Sequence, residues 1–160
     1  MKQASTFFLK ATLFIMGSAV FAFCIFAIPA ISTGVGIEWP QLAYPKYPIL
    51  IAGYLTAIPF FFALYQAFSL LTYIDKNTAF SEVSVRALRY IKYCGIAMST
   101  LYAASMPILF QIADADDAPG AVGFGMLFVV APTVVAVFAA VLQKLLQSAI
   151  DIKSENDLTV

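Results

Sequence analysis

Four stretches without a single charged side chain decide what this 160-residue chain can become. They cover residues 11–37, between Lys10 and Glu38; 47–74, between Lys46 and Asp75; 93–113, between Lys92 and Asp114; and 118–143, between Asp117 and Lys144. The shortest of them is 21 residues long, and a helix needs about 20 residues to cross a hydrocarbon layer of about 30 Å. The fold class expected is therefore all-α: an integral membrane bundle of four transmembrane helices forming one membrane domain over residues 1–160. The spans are placed at about 11–31, 48–72, 93–112 and 123–146, with an inner loop at 73–92 and a tail at 148–160.

Composition points the same way. Apolar residues make up 62% of the chain and charged residues 11%, against about 45–50% and about 25% in soluble domains. So much apolar surface does not fit inside one small aqueous core. The first apolar run follows Lys2 and Lys10 and could pass for a secretory leader. It exceeds the about 7–15 residues of a usual leader core, so a retained span is expected.

The basic residues set the orientation. An even number of spans puts both ends on one side, and with the termini inside, eight of the nine basic residues are cytoplasmic and only Lys46 is external. By the positive-inside rule both termini are cytoplasmic, in a cell membrane. Trp39, Tyr44 and Tyr47 then fall at the outer interface and Tyr73, Tyr90 and Tyr93 at the inner one, where aromatic rings anchor helices.

Residues 73–92 hold Lys76, Arg86, Arg89 and Lys92 against Asp75 and Glu82. Asn77 and Ser81 are candidate caps there. After Ser81, the residues Val83, Ala87, Leu88 and Ile91 recur with helical spacing on the stripe that carries Phe80, opposite Glu82, Arg86 and Arg89. A short amphipathic helix before the third span is expected, lying on the headgroups or continuing straight into the cytosol. The tail carries Asp151, Glu155 and Asp157 against Lys153, a sign opposite to the loop's.

Inside the spans the chemistry is sparse. Gln66 and Gln143 are the most polar groups and are candidate interhelical hydrogen-bonding residues. Gly95, Ser99 and Ala103, four apart, form a candidate helix-packing face. Each span holds one proline away from its ends, Pro29, Pro59, Pro107 or Pro132. Asp114, Asp116 and Asp117 cluster before Pro119, read as a solvated outer loop without a metal. The chain has no histidine, and no charge occupies the middle of an uncharged window. That opposes proton relays, and with no nucleophile–base pair or phosphate loop in view, neither an enzyme nor a cofactor is expected. No net charge or motif argues for direct contact with nucleic acid.

The run Asn77-Thr78-Ala79-Phe80-Ser81, the run Arg86-Ala87-Leu88-Arg89 and the terminal Glu155-Asn156-Asp157-Leu158-Thr159-Val160 resemble the bacterial family known as domain of unknown function 2975, small proteins of four predicted membrane helices. The resemblance extends over essentially the whole chain, and the tail is its most specific part. It implies a membrane partner for a small cytoplasmic helix-turn-helix, DNA-binding regulator, with no established activity. On that basis Arg86, Arg89, Glu155, Asn156, Asp157 and Leu158 are the candidate partner-binding residues. The expected function is that of a regulatory or adaptor protein; the alternative is a small transporter or channel subunit acting as a homo-oligomer.

Overall fold

The computed structural model describes residues 2–38, 40 and 46–159. Trp39, Tyr44 and Val160 lie outside the described residues. The first membrane segment is built from α1 (Lys2–Ala22), a single π turn (Phe23–Ala27) and α2 (Ile28–Glu38). It is followed by α3 (Lys46–Asp75), α4 (Glu82–Ala115) and α5 (Gly120–Leu158). Four segments are long and apolar enough to cross a membrane: Ala4–Val35, Tyr47–Asp75, Glu82–Ala115 and Pro119–Leu158.

The π turn has a local cause. Pro29 carries no N–H to donate to the carbonyl four residues before it, and just upstream the Ile28 N–H reaches back five residues to the Phe23 carbonyl. A widened turn of this kind re-aims a helix without breaking it. The other three span prolines, Pro59, Pro107 and Pro132, lie inside continuous helices.

Two connections follow one design. Asn77 (φ 56°) and Asp117 (φ 49°) take the left-handed conformation. Around Asn77 the Thr78 N–H bonds to the Tyr73 carbonyl and the Asn77 N–H to the Ile74 carbonyl; around Asp117 the same pair runs from Ala118 to Ala113 and from Asp117 to Asp114. Both are Schellman ends, in which a left-handed residue closes the last helical carbonyls. Asn77 thus terminates α3 and does not cap α4. Ser81 does occupy the N-cap position of α4 in extended conformation, but its hydroxyl donates to the Thr78 carbonyl at 2.7 Å and leaves the helix N–H groups alone.

Among the described residues, the helices pack in chain order: α1 and α2 on α3, α3 on α4, and α4 on α5, with no packing of α3 against α5. The bundle is thus an open row. Its densest seam is α4–α5, where backbone approaches backbone: a Cβ built on Gly95 would lie 2.7 Å from the Pro132 carbonyl oxygen.

Side-chain contacts fix the register. Along α4–α5, Glu82 meets Gln147, Ser99 meets Thr133 and Tyr102 meets Phe128, so the two helices run antiparallel over most of their length. Between α3 and α4, the Phe62 and Tyr90 rings meet edge to face at 5.7 Å. Phe62 is near the middle of the 30-residue α3, but Tyr90 is in the third turn of the 34-residue α4. From that contact α3 continues about 20 Å to Asp75, whereas α4 reaches back only about 12 Å to Glu82, at about 1.5 Å per residue. The start of α4 therefore lies about 8 Å short of the end of α3 along the helix axes.

The segment before the third span runs straight into it, because α4 is unbroken from Glu82 to Ala115. Its buried side also differs from the sequence pattern. Ala87 and Leu88 of the expected stripe are buried, but Val83 and Phe80 are exposed and Ser84 and Val85, outside it, are buried. Packing against α3 on one side and α5 on the other covers a wider arc of helix than one apolar stripe.

Candidate functional site

The polar chemistry gathers at the end of the row where the 76–81 connection and both chain ends lie. There Lys10 of α1 forms an ion pair with Asp75 of α3 at 2.5 Å, and its ammonium stands 5.4 Å from the Phe68 ring centre. Next to this pair, Ser5, Thr6, Leu9, Ile74, Asn77 and Phe80 line an open groove of about 410 Å³. On the other side of the row, the Gln147 amide donates to Glu82 and to Asp151, each at 3.1 Å. One amide thereby ties the first residue of α4 to α5 and neutralises part of the crowding between two carboxylates.

The candidate partner-binding residues fall in two separate places. Glu155, Asn156, Asp157 and Leu158 form the last turn of α5 and are exposed. Gln147 is level with Glu82, so the residues after it continue about 16 Å past the start of α4 as an unaccompanied helix. Arg86 and Arg89 are exposed on α4, on the other side of Glu82 from this overhang. The tail and the arginines therefore do not form one patch.

Of the packing face, Gly95 and Ser99 pack against α5. The Ser99 hydroxyl donates to the Val129 carbonyl at 3.0 Å and lies 2.7 Å from the Thr133 hydroxyl. Ala103 is exposed, because a four-residue step advances about 400° around a helix of 3.6 residues per turn and drifts off the seam. The candidate interhelical glutamines make no hydrogen bond: neither Gln66 nor Gln143 has a side-chain partner among the described residues. They lie on α3 and α5, the two helices that do not meet.

With the geometry in place, comparison with known proteins decides the family. The sequence profile described as "Protein of unknown function (DUF2975)" matches residues 36–160. The chain belongs to the DUF2975 family. This DUF2975 protein is also 56% identical over 160 residues, 100% of both chains, to the "Uncharacterized membrane protein YoaS" of Bacillus subtilis (strain 168). No solved structure matches it. It is a multi-pass membrane protein of all-α fold.

Two of the contacts that hold this DUF2975 protein together were not singled out in its sequence. Lys10 and Asp75 each read as the edge of an uncharged window, and their 65-residue separation hid the pairing. Thr133 looked like any span threonine. A double-mutant cycle checks the first: the Lys10→Met, Asp75→Asn double variant is expected to be no less stable in thermal unfolding than either single variant. Strictly additive losses would show that the two side chains act independently.

Proposed function

We propose that the protein is a membrane-anchored adaptor that presents the free end of α5 to a small cytoplasmic protein, with both termini in the cytoplasm as the positive-inside rule directs. One observation carries the reading: every residue from Asp151 to Thr159 is exposed, including Ile152 at 67% and Leu158 at 85%. A ten-residue helix alone in water is unstable because nucleation is costly. Here the transmembrane part of α5 supplies the nucleus, so the overhang is offered preformed, with Ile152 and Leu158 available for a partner's apolar groove. Asp151, Glu155 and Asp157 favour a basic partner surface. The family resemblance suggests a helix-turn-helix DNA-binding regulator as that partner, so contact with DNA would be indirect.

The test is site-specific photocrosslinking from position 152 in intact cells, paired with affinity capture of the chain lacking Glu155 to Val160. The expected result is one small cytoplasmic protein crosslinked to the full chain and lost from the truncated one. Retention of every partner by the truncated chain would refute the proposal.

A second reading, a subunit of an oligomeric transporter or channel, draws support from Gln66 and Gln143, amides inside the apolar windows without side-chain partners among the described residues. Solute flux in reconstituted vesicles that disappears on Gln66→Leu or Gln143→Leu would favour it.

A further inference from the structure

The register of α4 against its two neighbours sets basic side chains beside apolar turns. Tyr90 touches Phe62 near the midpoint of α3, and Arg89 and Lys92 flank Tyr90 in the sequence. On the other neighbour, Lys92 falls between the Gly95 contact with Ala136 and the Glu82 contact with Gln147. This is opposite the part of α5 around Phe138, inside that helix's uncharged window. Lys92 thus stands level with apolar turns of both neighbours, α3 near Phe62 and α5 near Phe138.

These cations lack acidic partners. Among the described residues the ion pair present is Lys10–Asp75, and Glu82, the acidic residue on the same stretch of α4, is engaged by Gln147. Lys92 lies over the Tyr93 ring, with its ammonium 4.8 Å from the ring centre. Arg86, Arg89, Tyr93 and Ile96 are all exposed, and their spacing of three, four and three residues keeps them on one side of α4. That side is cationic toward Glu82 and apolar below.

We propose that Arg89 and Lys92, assisted by Arg86, bind the phosphate of an anionic phospholipid from the leaflet at the Glu82 end, with its acyl chain lying along Tyr93 and Ile96. A guanidinium can hold two phosphate oxygens at once, and basic side chains beside an anionic leaflet are drawn to its headgroups. A soluble anion satisfies the upper half of the stripe and leaves the apolar half unexplained. The site is independent of any protein partner at the end of α5.

The full-length protein is to be purified in detergent and examined by native mass spectrometry with phosphatidylglycerol, phosphatidylcholine or inorganic phosphate. Phosphatidylglycerol is expected to be retained about tenfold more than phosphatidylcholine, in keeping with two basic contacts to an anionic headgroup. The Arg89→Gln, Lys92→Gln double variant should retain the two lipids about equally, while Lys76→Gln, Lys153→Gln, which removes the same charge elsewhere, behaves as wild type. Equal retention of both lipids by the wild type overturns the proposal. So does undiminished preference in the Arg89, Lys92 variant, or equal competition for the lipid by inorganic phosphate. If the double variant does not fold, the comparison moves to the single variant Lys92→Gln, where an unchanged lipid preference again overturns the proposal.

Discussion

Gly95→Leu is expected to force α4 away from α5 and to destabilise the protein by about 3 kcal/mol or more, the upper part of the range for overpacking a tight interior. Even a single methyl group at this position would meet the Pro132 carbonyl oxygen at 2.7 Å, the Ala136 Cβ at 2.9 Å and the Ala136 nitrogen at 3.2 Å. Two of these three atoms are backbone, so no rotamer change relieves the clash. α5 itself must move, and with it the contacts between Ser99, Thr133 and Val129. Thermal unfolding in detergent, followed by loss of helical circular dichroism, measures the effect. Gly123 is the control, because nothing lies within 4 Å of a Cβ built there. Gly123→Ala should hold or raise stability by up to about 1 kcal/mol through helix propensity alone. A Gly95→Leu protein that melted with the wild type would mean that the seam is loose.

The second large effect is expected from Val85→Asp, with a loss of about 3–5 kcal/mol, the cost of leaving a buried charge without a partner. Val85 is 1% exposed, beside the fully buried Ser84. Val83, only two residues away, is 48% exposed, and Val83→Asp should change stability by no more than about 0.5 kcal/mol. The contrast is informative because the helical stripe read from the sequence puts Val83, not Val85, on the covered side. Thermal unfolding and the amount of protein recovered from membranes both report it. Equal effects of the two substitutions would mean that the start of α4 is free of its neighbours.

That contrast also shows where the sequence is readable. The four helices were legible because hydrocarbon thickness imposes a length on apolar runs, and no soluble alternative competes with windows such as 47–74 or 118–143. The family was legible from short polar runs, above all the tail. The buried arc of α4 was not, since amphipathic spacing assumes one wet side and one dry side. A helix held between two neighbours and lipid has several surroundings, and Ser84, small and polar, is buried because it fits. Gln66 and Gln143 illustrate the same limit. Polarity in a span announces a need for a partner, but only the order of packing shows that α3 and α5 do not meet. Lys10 and Asp75 were visible as window edges, yet their pairing depended on the relative height of α1 and α3, a quantity that no local pattern encodes. The register of α4 against α3 escaped the sequence for the same reason, and it is what brings Arg89 and Lys92 level with apolar neighbours.

The chain-order row has a consequence for how the protein is made. Because every described interface joins segments that follow one another in the sequence, the partner of each newly inserted segment is already in the bilayer. The growing chain never has to hold a surface open for one that arrives much later, which keeps loop-closure entropy small and favours rapid assembly. The longest wait falls on α4, whose second partner, α5, is synthesised last. Chains stalled before residue 120 would therefore leave uncovered the face carrying Gly95 and Ser99, which α5 packs against in the finished protein.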